Sequence, residues 1–155
     1  MAKERPGRLL RWLFRAPVWL YRSRLGFLFG SRFLMIEHRG RKSGRLYRTV
    51  VEVVGATGSG GQRFVVSGFG PKADWYRNLE AGGLVAIWLG SRRCEATARF
   101  LGPGEAAEIM ARYETEHPKA AAVLQRELGL SYDGTEAGRL DLMRRIPMVG
   151  LRPDC

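Results

Sequence analysis

Five cations, two glycines, Ser43 and Thr49 are gathered in "RGRKSGRLYRT", Arg39 to Thr49. Arg41, Lys42 and Ser43 sit in a glycine-bounded turn, and Arg48 and Thr49 follow it. Together with the turn's exposed N–H groups, they are suited to clamping a phosphate or a carboxylate. Taken alone, the stretch reads as a solvated basic turn. A second segment changes that weighting. "SGFGPKADWYRNL", Ser67 to Leu79, places Ser67 and Gly68 at a strand end and Lys72 ahead of a helix, whose first turn offers Trp75 and Asn78 to a flat ligand. Of the chain's four lysines, Lys42 and Lys72 fall in these two segments.

Other chemistries find little support. His38 and His117 have no Cys or His neighbour at ligand spacing, so no zinc or haem motif is visible. "GRKSG" lacks the spacing of a P-loop, "GSGG" sits in a turn rather than opening a helix, and no nucleophile elbow occurs. Cys94 alternates with Ala96, Ala98 and Phe100 against Arg93, Glu95, Thr97 and Arg99, which makes it a small core-facing residue rather than a catalytic thiol. With Cys155 as the only other cysteine, a disulfide framework is not expected, and a reducing cytoplasm is the expected location.

The elements that must position these residues can be read from periodicity. "RFLMIEH" and "YRTVVEVVG" flank the basic turn as the two arms of a β-hairpin, and β-branched residues fill the second arm. "GATGSGGQ" is a second turn and "RFVVSG" a short strand. "KADWYRNLEAG" reads as a helix with Asp74 as N-cap, stopping near Gly82. "LVAIWLG" and "RRCEATARFLG" return to strand. Residues from Pro103 to Gly129 read as two helices, the second begun by Pro118, and "IPMVGLRP" as a closing strand. Strands in quick succession with one inserted helix, then a helical pair and a last strand, imply an antiparallel α+β domain, most simply a small barrel with helices outside.

Charge is distributed unevenly along the 155 residues. The first 48 carry 13 of the 26 Lys and Arg but only two of the 15 Asp and Glu, so the whole formal excess of +11 lies there. The partner's negative charge is expected to meet that third of the chain. Residues 1–30 form a basic amphipathic segment. In it Arg8, Arg11 and Arg15 stand at helical spacing against Leu9, Leu10, Trp12, Leu13, Trp19 and Leu20, and Pro17 can open a second short helix. The segment can pack on the domain formed by residues 31–155 or lie on an anionic membrane surface. Arginines interrupt every apolar run before it could span a bilayer. Nucleic acid is disfavoured, because the aromatic residues cluster in apolar helices instead of interleaving on a strand face.

The succession "RGRKSG", "RT", "VVSGFG", "PKADWYRNL" and "VAIWLG", from about Leu34 to Phe100, resembles the deazaflavin-dependent nitroreductases, split-barrel reductases that use coenzyme F420 and include F420H2-dependent quinone reductases. "APVWLYR" and "IPMVGL" resemble the family's ends. The resemblance implies a split β-barrel with F420 in a barrel-side groove. It would place Arg41, Lys42, Ser43 and Arg48 against the cofactor's phosphate and glutamate tail. Thr49, Ser67, Gly68, Lys72, Trp75 and Asn78 would lie along the path to the ring. The expected reaction is hydride transfer from reduced F420 to an electron-poor, apolar small molecule: a quinone, a nitro compound or an activated enone. Ser67 would orient the acceptor's oxygen. Near the C-terminal helices, where relatives carry several tyrosines, this chain has "EHPKAAAV". His117, with Tyr113 and Tyr132 nearby, is therefore the set of candidates for acceptor contacts. The alternatives are a barrel that binds FMN, and a non-catalytic carrier of a cofactor or lipid. The expected assembly is a monomer or a homodimer.

Overall fold

Alternation along the first hairpin sets the layers of the molecule. The computed structural model describes residues 32–57, 61–127 and 132–155. The amphipathic segment, with its two expected helices, lies outside the described residues, as do the tip of the glycine-rich turn and the end of the second C-terminal helix. In strand β1, Phe33–Arg39, the side chains of Leu34 and Ile36 enter the barrel interior, while Phe33 and Met35 join Val50 and Trp88 on the outer face. Strand β2, Leu46–Ala56, pairs with β1 in register from Phe33 opposite Glu52 to Arg39 opposite Leu46, which gives the hairpin expected around the basic turn.

The remaining elements follow as β3 (Arg63–Val66), α1 (Asp74–Glu80), β4 (Leu84–Leu89), β5 (Arg92–Cys94), β6 (Ala96–Phe100), α2 (Pro103–Glu116), α3 (Pro118–Glu127), α4 (Glu136–Arg145) and β7 (Met148–Pro153). The seven strands form one antiparallel sheet in the order β5-β4-β1-β2-β3-β7-β6. It curls into a nearly closed split β-barrel, the fold class expected from the sequence. Val65, Ile87, Val149 and Leu151 fill the interior, and Trp75, Tyr76 and Leu79 of α1 pack into the same cluster. On the outside, Val54, Phe64, Val66 and Met148 carry α2, α3 and α4. Consecutive residues Phe64, Val65 and Val66 thus serve opposite layers, as strand alternation requires.

Several expectations need correction. "RRCEATARFLG" is two strands, not one: the chain turns at Glu95, so that β5 pairs with β4 while β6 pairs with β7. Phe100 is 39% exposed, lying edge-on to Tyr76 rather than inside the core. Helix α4 went unforeseen because "EAGRLDLMRR" is mostly charged and buries only Leu142 and Met143. Its signal was local, since Thr135 caps the helix by accepting from the Gly138 N–H at 3.0 Å. Asp74 is not the N-cap of α1. Ala73 occupies that position, without a side-chain cap, and Asp74 begins the helix.

The largest correction concerns the cysteines. Cys94 is core-facing, as expected, but it is bonded to Cys155, 61 residues away, with Cα atoms 5.4 Å apart. Antiparallel pairing of β6 with β7 places Ala96 opposite Pro153, and the Asp154 N–H donates to the Glu95 carbonyl at 2.8 Å. That register delivers the C-terminal residue to Cys94. The cysteine count therefore no longer supports a reducing compartment.

Candidate functional site

The basic turn closes on itself before it meets anything else. The Gly40 N–H donates to the Arg45 carbonyl at 2.8 Å and the Gly44 N–H to the Gly40 carbonyl at 2.9 Å. The Arg45 N–H is taken by Ser43 Oγ at 3.2 Å. A Cβ on Gly40 would lie 2.7 Å from Ser43 Oγ and 2.9 Å from the Tyr47 ring, so a side chain there would have to push both aside. The amide N–H groups of Lys42 and Ser43 take no part in the turn's hydrogen bonds. Among the described residues these two amides have no hydrogen-bond partner, and backbone N–H groups of this kind beside a lysine suit an anion.

Helix α1 is fastened beside this turn. The Gly83 N–H donates to the Asn78 carbonyl, and the Gly83 carbonyl accepts from the Arg39 N–H, both at 2.8 Å. A Cβ on Gly83 would meet the Arg39 carbonyl oxygen at 2.6 Å and that of Asn78 at 2.8 Å, so a side chain there would push α1 away from β1. Between turn and helix lies a cleft of about 600 Å³, lined by Arg41, Lys42 and Ser43 with His38, Tyr47 and Thr49 on one side and Phe69, Asp74, Trp75 and Asn78 on the other.

A buried polar chain forms the cleft floor. Asn78 Oδ1 accepts from the Arg41 backbone N–H at 3.1 Å and from Arg41 Nη1 at 2.8 Å. Asn78 Nδ2 lies 3.0 Å from His38 Nδ1, and His38 Nε2 lies 3.1 Å from Thr49 Oγ1. Burial lowers the His38 pKa to about 4, against a smaller opposing pull from Asp74, so the ring is neutral at ordinary pH. Arg41 Nη2 reaches Asp74 Oδ1 at 3.1 Å.

The opposite face of the same strands carries a charged counterpart. Glu37 is 2% exposed and accepts from Trp88 Nε1 at 2.7 Å, Arg93 Nη2 at 3.0 Å and Arg48 Nε at 3.4 Å. Burial alone would raise its pKa, but the hydrogen bonds from Arg93 and Trp88 and the two guanidinium charges outweigh this and lower it.

Of the residues singled out from the sequence, Arg41, Lys42, Ser43, Arg48, Thr49, Trp75 and Asn78 line the cleft. Their tasks differ. The Arg41 guanidinium is held by Asp74 and Asn78, and that of Arg48 by Glu37, whereas the Lys42 ammonium and the two turn amides are uncommitted among the described residues. Trp75 is only 9% exposed and belongs mainly to the barrel core, whereas Tyr47 and Phe69 are 44% and 54% exposed. Ser67, Gly68 and Lys72 are not brought to the lining. Ser67 is fully buried and donates to the Gly70 carbonyl at 2.6 Å, fixing the turn that presents Phe69. Tyr113, His117 and Tyr132 lie with the outer helices. The Tyr113 hydroxyl donates to Glu52 at 2.6 Å, that of Tyr132 to Glu114, and His117 ends α2 against the Tyr113 ring. Sequence reasoning missed His38, Tyr47, Phe69 and Asp74. For His38 the signal was available, because it continues the inward alternation of Leu34 and Ile36.

Residues 13–129 match the family model for F420H(2)-dependent quinone reductase. The chain belongs to that family. It is an oxidoreductase, and its cofactor is F420. Among solved structures, the F420-H2 dependent reductase FDR-A is 20% identical with a TM-score of 0.50, covering 77% of this chain and 93% of its own. A protein of unknown function from Agrobacterium tumefaciens is 20% identical with a TM-score of 0.53, covering 90% of this chain and 56% of its own. A domain-swapped dimer is 21% identical with a TM-score of 0.50, covering 87% and 98%. At these identities the likeness establishes the split-barrel fold. No curated protein matches the chain. Among the described residues, no helix is long and apolar enough to cross a membrane, and no cluster of side chains could hold a metal ion.

Proposed function

We propose that the protein passes a hydride from reduced F420 to an electron-poor, apolar small molecule of the quinone, nitro or activated-enone class. The observation that carries the reading is the cleft itself. It joins a cationic turn, with N–H donors that have no partner among the described residues, to neutral polar and exposed aromatic side chains and to the Asp74 carboxylate paired with Arg41. Such a cleft suits a ligand that is anionic at one part and flat and uncharged at another, and F420 is built that way.

When bound, reduced F420 supplies two electrons and a proton as hydride. Lys42 and the Lys42 and Ser43 amides hold phosphate or tail carboxylate, while Arg41, tied to Asn78 and Asp74, lends charge and rigidity. Tyr47 and Phe69, exposed in the cleft, would offer the cofactor's flat ring apolar surface and exclude water, so the protein's part would be orientation and desolvation rather than acid–base chemistry. The apolar acceptor enters against the same aromatic side chains. The basic segment of residues 1–30 supplies a route to membrane quinones, and the protein works as a monomer or homodimer.

Titrating the purified protein with F420 and, separately, FMN, followed by cofactor fluorescence, tests the first half of this reading. Oxidation of reduced F420 in the presence of a short-chain quinone, a nitroaromatic and a cyclic enone tests the second. Binding of F420 with turnover of at least one acceptor class is expected. Binding without turnover of any of them would make the protein a carrier, and binding of FMN alone would remove the proposed chemistry.

A further inference from the structure

The hydrogen-bond donors in the cleft floor have directions that follow from chemistry alone. Arg41 offers only N–H groups, through its backbone and its guanidinium, so the Asn78 atom facing both must be the amide oxygen. The amide nitrogen then faces His38 Nδ1 and donates to it, so Nδ1 carries no proton. The neutral ring must keep its proton on Nε2, and Nε2 donates to Thr49 Oγ1. With its oxygen accepting, Thr49 has its own proton left over, and its side chain lines the cleft. Thr49 makes no other hydrogen bond among the described residues.

We propose that Asn78 and His38 are positioning residues that fix the Thr49 hydroxyl as a donor to an acceptor-only oxygen of the ligand in the cleft, a phosphate or a ring carbonyl oxygen of F420. Arg41 sets the whole chain of dipoles, because its two donors determine which way the Asn78 amide lies. A cation often regarded as a direct ligand clamp thus acts here through three further side chains. The chain has no slack, since a flip of Asn78 would leave two donors facing Arg41 and an acceptor facing an acceptor. The inference rests on the cofactor assignment above, which supplies the ligand.

The test combines affinity with tautomer. F420 affinity would be measured for the wild-type protein, Thr49→Ser, Thr49→Val and His38→Phe, each checked by its melting temperature. The same series would be run with the deazaflavin riboside that lacks phosphate and glutamates. In parallel, nitrogen NMR of labelled protein reports which His38 nitrogen is protonated. Expected are the Nε2–H tautomer, near wild-type affinity for Thr49→Ser, and about tenfold weaker binding for Thr49→Val with its fold intact. Weakening toward both ligands places the accepted oxygen on the ring, and weakening toward F420 alone places it on the phosphate. An Nδ1–H tautomer, or a folded Thr49→Val that binds within twofold of wild type, overturns the proposal. If wild-type protein bound no F420, the cofactor reading and the ligand half of the proposal would fall together. The tautomer would still uphold or overturn the relay.

Discussion

Cutting the Cys94–Cys155 bond should cost stability without touching the cleft. The crosslink spans 61 residues of sequence. By the chain-entropy relation, a loop of that length limits the unfolded ensemble by about 4 kcal/mol. For a chain of this size each kcal/mol moves the melting midpoint by roughly 2–4 °C, so reduction should lower it by roughly 8–16 °C. Cys155→Ser is the cleaner variant, because Cys155 is exposed and accepts a hydroxyl freely, whereas Cys94 is 2% exposed in the barrel interior. The assay is calorimetry of wild type with and without dithiothreitol, beside Cys155→Ser with and without it, together with thiol titration in denaturant. The variant should match reduced wild type and show no response to reductant. F420 affinity should be unchanged throughout, since neither cysteine lines the cleft. Two reactive thiols in air-purified protein, or a Cys155→Ser midpoint within about 2 °C of oxidised wild type, would refute the reasoning.

Lys42→Ala should weaken F420 binding about tenfold with little change in melting, because its ammonium is an exposed charge beside free amides. The loss should shrink as salt is raised in a fluorescence titration. Gly83→Ala should destabilise the protein by about 2–3 kcal/mol and weaken F420 binding with it, because a methyl at 2.6 Å from the Arg39 carbonyl must displace α1 from β1; denaturant unfolding measures the first and titration the second. Stability should also fall on acidification. His38 has a folded pKa of about 4 against an ordinary 6.5, so between those values the unfolded chain binds a proton that the folded one refuses. The contribution is fully present above about pH 6.5 and lost toward pH 4, in all roughly 3 kcal/mol. Urea midpoints measured from pH 7 to pH 4.5 should decline, and should do so less steeply in His38→Phe.

The hairpin, the barrel and the basic turn were legible because each rests on local rules. Alternation in "FLMIEHR" assigns faces, glycine pairs mark turns, and Pro103 and Pro118 open helices. What escaped depended on register between distant strands. Nothing in "RRCEATARF" shows that Cys94 will meet the C-terminal residue until β6 is paired with β7. Asp74 and Asn78 looked like a cap and a ligand contact, yet their partner is Arg41, more than 30 residues earlier in the chain. Composition could count the cations of the first third. It could not show that Arg41 and Arg48 are already paired, because their partners lie on other elements, Asp74 and Asn78 on α1 and Glu37 on β1.

Glu37 and His38 show how one peptide step serves both faces. The pairing of β1 with β4 slips between these two residues, so Ala86 faces Glu37 while Leu84 faces His38. Irregularities of this kind re-aim side chains near functional sites. Here both side chains are buried, on opposite faces of one sheet. The carboxylate draws Arg48, Arg93 and Trp88 to the outer face, and the neutral ring links Asn78 to Thr49 on the cleft face. Exchanging their roles would leave the Arg48 and Arg93 guanidiniums without a counter-charge and bury a carboxylate among neutral dipoles, and both are costly. The division of labour also accounts for the described cations around the cleft. Glu37 holds Arg48 and Arg93 from behind, Asp74 holds Arg41 at the rim, and Lys42 with two amides is left to meet the ligand's anion.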